Sequence, residues 1–217
     1  MKTYLALSAL LSHPEPALIE GLGEVGAALD AEALLPRAAR REVEALIGEL
    51  ASGDLYDLQE RYVSLFDRSR ALSLHLFEHV HGESRDRGQA MVDLLAAYAR
   101  RGVRVAGSEL PDYLPAFLEF LSLAPPGEAQ GLLAETADIL RGLGDRLAER
   151  GSRYSAVFAA LLAIAGEPGL AKKLAAAPSG TEDLTLLDRE WKDPEVGFGG
   201  PEGGPQPVQF YPRRTPA

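Results

Sequence analysis

The chain has no cysteine among its 217 residues. This absence excludes disulfide bonds, iron–sulfur ligation and thiol catalysis, and with them the thiolate-based structural zinc sites. Glycine-rich phosphate loops are also missing, so nucleotide binding has no support in the sequence. A membrane-spanning helix requires roughly 18 uninterrupted apolar residues. The best candidate, residues 154–166, is shorter than that, and we expect a core helix there.

Basic residues are scarce. Lys and Arg number 22 against 32 Asp and Glu, which leaves a formal charge of −10. The excess acid lies mainly in residues 1–165, with 24 acidic and 16 basic side chains. Nucleic acids select basic surfaces, so we do not expect them as partners. An acidic surface attracts a basic or amphipathic polypeptide, although the same acidity also serves solubility alone.

The first residues, MKTYLALSALLSHPEP, imitate a secretory signal because Lys2 precedes an apolar stretch. The stretch is short, Ser8 interrupts it, and the following SHP is a poor cleavage site. Leu7 and Leu10 share one helical face. We therefore expect a first core helix, no direct membrane insertion and a cytoplasmic protein.

Apolar residues before residue 166 recur at three- and four-residue intervals, and strand-like alternation is absent. This pattern predicts an all-α fold, a single compact bundle of about eight helices over residues 1–165. The clearest stripes are Leu55, Leu58, Tyr62, Leu65 and Phe66; Met91, Leu94, Leu95 and Tyr98; Leu114, Phe117, Leu118 and Leu121; Leu132, Thr136, Ile139, Leu143 and Leu147; and Tyr154, Val157, Phe158 and Leu161.

Helix boundaries are predicted from glycine and from capping residues. Asp112 is placed to cap a helix that begins at Tyr113, which would leave Pro115 in the first turn. Four glycines are predicted to end helices in the left-handed conformation: Gly53, Gly82, Gly102 and Gly151.

The C-terminal residues 166–217 differ in composition. Residues 193–217 include six prolines and five glycines, too many chain breakers for regular structure. We predict an extended, partly disordered segment. An apolar island at 184–198, around the single Trp191, is expected to dock on the body of the protein, with a partner-binding role as the alternative.

Residues 75–79 spell H-x-x-E-H, the zinc-site pattern of one class of metallopeptidase. On a helix, His75, Glu78 and His79 share one face and can supply two imidazole ligands and a carboxylate base. A third ligand has no local signal, however, and Gly82 would end the helix within a turn of the pair. We therefore favour a half-buried structural role, with a zinc hydrolase as the alternative that metal analysis would test.

Charged residues continue around a predicted helix–turn–helix corner at Gly82. Ser84 can cap the second helix, and Asp86 favours its positive N-terminus. Two interpretations stay open: a self-satisfied polar corner that fixes the crossing of two helices, or one side of a groove offered to a partner. The charged and titratable members are Glu78, His79, His81, Glu83, Arg85, Asp86 and Arg87.

Several segments together resemble a known family. They are YVSLFD at 62–67, SLHLFEHVHGESRDRGQAM at 73–91, ELPDYLP at 109–115 and LEFL at 118–121. They resemble the nitrate reductase assembly chaperones, the NarJ or delta-subunit group within the TorD-like family of redox-enzyme maturation chaperones. The likeness is close across about residues 60–123. It is looser at SALLSHP (8–14) and returns at LDREW (187–191).

This resemblance implies an all-helical cytoplasmic chaperone without catalytic residues, metal or cofactor of its own. Its implied partner is the apo catalytic alpha subunit of nitrate reductase, bound through the N-terminal segment, a remnant of a twin-arginine leader. The chaperone would hold that subunit open during molybdenum cofactor insertion and delay membrane attachment, with cofactor delivery proteins as further partners. In this group the H-x-x-E-H string belongs to the chaperone signature and binds no known zinc.

A basic amphipathic segment would place its apolar face in a groove between helices and its cations against carboxylates at the rim. A TorD-like chaperone for another molybdoenzyme is the alternative, and the long match at 73–91 favours the nitrate branch. The residues expected to bind the partner segment are His75, Glu78, His79, His81, Glu83, Arg85, Asp86, Asp112, Tyr113 and Glu119.

Overall fold

The structure is a computed structural model that describes residues 1–81, 85–104 and 109–174, with the side chains of His81 and Arg85 left out. In these ranges the chain forms ten α-helices and no strand, which confirms the all-α prediction. The helices are α1 (Lys2–Leu10), α2 (Pro16–Glu32), α3 (Arg37–Ser52), α4 (Leu55–Tyr62), α5 (Leu76–His81), α6 (Arg85–Arg100), α7 (Leu114–Ser122), α8 (Pro126–Glu135), α9 (Ala137–Glu149) and α10 (Ser155–Ala165).

The number of helices exceeds the predicted eight because some stripes continue across a break. Thr136 belongs to the stripe that was predicted to run from Leu132 to Leu147. Its hydroxyl instead donates a hydrogen bond to the carbonyl of Leu133 (2.8 Å), and the backbone there is not helical. Side chains such as Thr compete with the backbone in this way. The stripe is therefore divided between α8 and α9.

Two helices, α1 and α10, form the centre of the core. α10 is almost wholly apolar, and it packs on α9, α3 and α8. α1 packs on α7 and α2. Its first turn has no cap of its own; the carboxylate of Glu32, at the end of α2, accepts hydrogen bonds from the amides of Lys2 (2.7 Å) and Thr3 (2.8 Å). Orphan amides at a helix start need such an acceptor, so this contact holds α2 beside α1.

The glycine predictions have mixed outcomes. Gly102 (φ 71°) and Gly151 (φ 67°) adopt the left-handed conformation as predicted. At Gly53 the prediction is wrong, since its φ is −80° and its ψ 154°. Glycine is needed there for a different reason: a Cβ would lie 2.8 Å from a methyl carbon of Leu58 and 3.2 Å from the carbonyl oxygen of Glu49. Gly82 lies outside the described residues.

The chain after α10 folds back over α9. Leu170 packs beside Gly144, and the backbone amide of Lys172 donates to the carboxylate of Asp145 (2.9 Å). All described residues belong to a single unit within Met1–Ala177. The predicted island at 184–198 lies outside them. None of the helices in the described ranges is long and apolar enough to cross a membrane.

Candidate partner-binding groove

Residues 111–115 are held in place by five hydrogen-bonding contacts with four other parts of the chain. Two of the contacts come from the 74–76 segment and the other three from distant positions in the sequence, which makes residues 111–115 a junction of the fold. The hydroxyls of Tyr98 and Ser8 donate hydrogen bonds to the carbonyls of Pro111 (2.7 Å) and Pro115 (2.9 Å). Two backbone hydrogen bonds join the segment to residues 74–76: the amide of Leu76 donates to the carbonyl of Asp112 (3.0 Å), and the amide of Leu114 donates to the carbonyl of Leu74 (2.8 Å). The hydroxyl of Tyr62 lies 3.1 Å from that of Tyr113.

Asp112 is fully buried at the centre of this junction. Its carboxylate accepts a hydrogen bond from the amide of Phe77 (3.1 Å), lies 3.3 Å from Nδ1 of His75 and lies 3.8 Å from the guanidinium of Arg87. The prediction that Asp112 caps the next helix is wrong. α7 has Tyr113 at its N-cap without a side-chain cap, and Asp112 instead caps the first turn of α5. Asp112 is also among the residues expected to bind the partner segment, and the structure places its side chain in the interior rather than at an exposed rim.

His75 precedes α5 rather than lying on its face, because it pairs with Tyr113 in an antiparallel bridge. The hydrogen bond to Asp112 raises the pKa of the His75 imidazole above its ordinary value, while burial acts in the opposite direction. Nε2 of His79 lies 2.8 Å from the carbonyl oxygen of Ser73. The two rings therefore have separate partners, which corrects the predicted shared face. Within the described ranges no three His, Asp or Glu side chains gather as metal ligands would.

The charged corner is partly self-satisfied. Glu78 accepts from Arg87 (3.4 Å), and the same guanidinium faces Asp112, as the polar-corner interpretation requires. Asp86 is exposed in the first turn of α6. The side chains of His81, Glu83, Arg85 and Ser84 lie outside the described residues, so predictions for them stay untested.

A groove of about 660 Å³ runs between α1 and α2 and reaches the 111–115 segment. Four carboxylates line it, and none of its described lining residues is Lys or Arg. The rest of the lining is apolar or small, apart from two hydroxyls, the imidazole of His13 and the phenol of Tyr113. The lining carboxylates are Glu15, Glu24, Glu109 and Glu119.

Two further cavities continue this groove at its ends. One of about 300 Å³ shares Ser12, Glu109, Tyr113 and Glu119 with it. The other, of about 570 Å³, shares Leu5, Glu24 and Val25 and extends along α2. Among the described residues, one cation lines each end, Arg104 in the smaller cavity and Lys2 in the larger. The three cavities form an elongated acidic channel with apolar walls.

The apolar wall that α2 contributes to the channel comes from residues that the fold covers only in part. Only Leu22 and Leu29 of its 17 residues are fully buried, although its sequence, PALIEGLGEVGAALDAE, is rich in apolar and small residues. A helix that is apolar on several faces ordinarily has neighbours on each of them. Three of its larger apolar residues, Leu18, Ile19 and Val25, pack on the core but stay partly exposed. Leu18 and Val25 contribute to the apolar lining of the groove.

The predicted site residues divide into two groups. Tyr113 and Glu119 line the groove. His75, Glu78, His79 and Asp112 lie in the network that anchors Tyr113, and none of these four lines it. Sequence reasoning missed the members contributed by the α1–α2 connection, by α2 and by the start of the 109–115 segment, although the many apolar residues of α2 were a usable signal. The missed residues are His13, Glu15, Glu24 and Glu109.

Comparison with known proteins shows which protein family this sequence is similar to. The sequence profile of the family described as nitrate reductase delta subunit matches residues 31–160. The chain is 41% identical over 212 residues to the nitrate reductase molybdenum cofactor assembly chaperone NarJ of Escherichia coli K12, covering 96% of this chain and 90% of the relative. It is 45% identical over 152 residues to the probable chaperone NarW of the same strain (69% and 66%). The probable NarJ of Bacillus subtilis 168 is 32% identical over 165 residues (74% and 86%).

Proposed function

The chain belongs to the nitrate reductase delta subunit family, and we propose that it binds the N-terminal segment of the catalytic alpha subunit of respiratory nitrate reductase before the molybdenum cofactor is inserted. Curated relatives carry the name of cofactor assembly chaperones, and the family is not one of enzymes. A zinc hydrolase is therefore set aside. In this proposal the protein acts in the cytoplasm and has no cofactor of its own.

The observation that carries the proposal is the charge of the channel. The part of the chain that the structure describes lines the central groove with four carboxylates and with no Lys or Arg, which favours a positively charged ligand. Its apolar walls, which include Leu5, Leu18 and Val25, favour a ligand with an apolar face. A short basic amphipathic segment has both properties, and helix-in-groove binding is a common way to recognise one.

The proposed sequence of events needs only binding. The unfinished alpha subunit presents its N-terminal segment, whose apolar face enters the channel while its Lys and Arg side chains meet Glu15, Glu24, Glu109 and Glu119. Occupying this segment keeps the subunit from attaching to the membrane and leaves it open to proteins that deliver the cofactor. Release follows once the subunit has folded around the cofactor. The chaperone makes and breaks no covalent bond.

Calorimetry with a synthetic peptide tests the proposal. The peptide carries about the first 20 residues of the alpha subunit from the same organism, which as a helix would span about 30 Å. We expect saturable binding to the full chain that weakens with salt. Replacing Glu109→Gln and Glu119→Gln together is expected to weaken it about three- to tenfold, as for two partly solvated ion pairs.

A matched pair of substitutions separates the groove from the charged corner. Glu83→Ala with Asp86→Ala removes two carboxylates from the corner, which the sequence also predicted as a binding surface. If the peptide lies in the channel, this pair leaves the affinity nearly unchanged. If the affinity falls in the variant with Glu83→Ala and Asp86→Ala but not in the variant with Glu109→Gln and Glu119→Gln, the peptide binds at the charged corner instead. A matching peptide from another molybdoenzyme, such as a dimethyl sulfoxide reductase, tests the nitrate assignment.

A further inference from the structure

Tyr62 contacts two residues that line the groove, His13 and Tyr113, without lining it itself. It is the last residue of α4, it is 3% exposed, and a π-helical turn (Val63–Asp67) follows it. Its hydroxyl donates to the carbonyl of Leu11, just after α1 (2.8 Å), and lies 3.1 Å from the hydroxyl of Tyr113. The ring packs edge-on against that of His13, with centroids 5.4 Å apart. Tyr62 therefore joins three positions that shape the groove.

The direction of these hydrogen bonds follows from the number of protons that each group can donate. A phenol has one proton to donate, and a carbonyl oxygen can only accept. The proton of Tyr62 therefore goes to Leu11, and in its bond with Tyr113 the oxygen of Tyr62 is the acceptor. The hydroxyl of Tyr113 must be the donor. Its own proton is then directed inward, which leaves its oxygen able to accept a further hydrogen bond. Tyr113 lines the groove together with Glu109 and Glu119.

We propose that Tyr62 is a positioning residue for partner binding: it holds the Tyr113 hydroxyl so that its oxygen accepts a hydrogen bond from a Lys or Arg side chain of the bound segment. This inference rests on the proposed function and adds a residue that never touches the partner. A hydroxyl free to rotate would instead turn its proton toward a neighbouring carboxylate or water. Holding it in advance removes the ordering cost at the moment of binding.

A double-mutant cycle tests this inference. Tyr62→Phe, Tyr113→Phe and the double variant are titrated with the labelled alpha-subunit peptide, and thermal unfolding is measured alongside. Each single change is expected to weaken binding about three- to tenfold, the range for one lost hydrogen bond to a charged group. The double variant is expected to have the same peptide affinity as the single variant that binds more weakly, because both changes break the same chain of contacts.

Tyr154→Phe is the matched control. Tyr154 is also buried, and its ring lies 6.2 Å from that of Tyr62, yet it lines none of the three cavities. Its substitution is expected to leave the peptide affinity within about twofold of wild type. A role of Tyr62 in stability alone would lower the unfolding temperature and leave the affinity of the folded molecules unchanged.

The outcomes separate the two proposals. Wild-type protein that fails to bind the peptide overturns the proposed function and this inference with it. Wild-type binding with an unchanged affinity in Tyr62→Phe overturns only the inference. So do single effects that simply multiply in the double variant, or a Tyr113→Phe variant that binds as wild type does.

Discussion

At the scale of single residues, Asp112 connects the histidine-rich segment to the groove. Its carboxylate accepts a hydrogen bond from the backbone amide of Phe77, which is 35 positions away in sequence, and it faces His75 and Arg87. The next residue, Tyr113, lines the groove. In the proposed function, the motif that resembles a zinc site would therefore contribute indirectly, by holding the backbone that presents Tyr113.

Asp112→Asn is expected to lower the free energy of unfolding by about 2 kcal/mol, because the amide replaces one acceptor of a buried network by a donor. Urea denaturation measures the change. Glu20→Gln, on the exposed side of α2, serves as the control and should stay within about 0.5 kcal/mol of wild type. Equal effects of the two substitutions would contradict the role assigned to Asp112.

The raised pKa of His75 predicts a pH-dependent stability. Its ordinary pKa is 6.5 and its folded value lies above that. The stabilisation from the protonated ring beside Asp112 is therefore fully present below the ordinary value and is lost as the pH rises through the folded one. The difference in unfolding free energy between wild type and His75→Gln should shrink between about pH 6 and about pH 8. A difference that grows over this range would refute the assignment.

At the scale of elements, α9 shows how two glycines in one helix differ in their surroundings. A Cβ on Gly144 would lie 2.4 Å from Leu170 and 2.9 Å from Cβ of Phe158, whereas one on Gly142 would meet nothing within 4 Å. Gly144 thus permits the chain after α10 to lie against α9. Gly142 has no such neighbour among the described residues.

Gly144→Ala is expected to destabilise the protein by about 1–3 kcal/mol, as for an overpacked contact. Gly142→Ala is the matched control and should stabilise it by about 0.5–1 kcal/mol, since alanine favours a helix interior. Thermal unfolding of both variants measures the effects. Two stabilised variants would show that Leu170 does not occupy its position against α9.

At the scale of the whole molecule, the feature to consider is the residue at which the folded domain ends. The sequence predicts residues 1–165 as the chaperone domain and 166–217 as a separate segment. The contacts of Leu170 and Lys172 with α9 lie beyond that boundary. They favour a body that extends at least to Leu174.

Two truncated chains test this boundary. A chain that ends at Leu174 retains the burial of Leu170, while one that ends at Ala165 loses it. We expect the longer chain to be more stable by about 1–3 kcal/mol, the contribution of one partly buried leucine and its neighbouring hydrogen bond. Circular dichroism during urea denaturation compares the two. Equal free energies of unfolding for the two chains would instead support the predicted boundary at residue 165.

Much of the fold was predictable because helix periodicity is a local property. The stripe that begins in α4 and continues into the π-helical turn correctly marks Leu58, Tyr62 and Phe66 as buried. The stripe in α6 succeeds only in part: Tyr98 is buried, but Leu95 is 44% exposed, because periodicity identifies an apolar face and not whether another helix covers it. The cap of α5 was missed for a related reason, since its acceptor, Asp112, comes from a distant segment.

The order of apolar and polar residues alone was enough to specify helices, their approximate number and an acidic surface suited to a basic partner. It did not specify the groove. That channel arises where α1, α2 and the 111–115 segment meet, and where Leu18 and Val25 of α2 stay partly exposed. Hydrophobic patterning acts over a few turns of one helix, whereas a concave site depends on the distances between helices that only packing establishes.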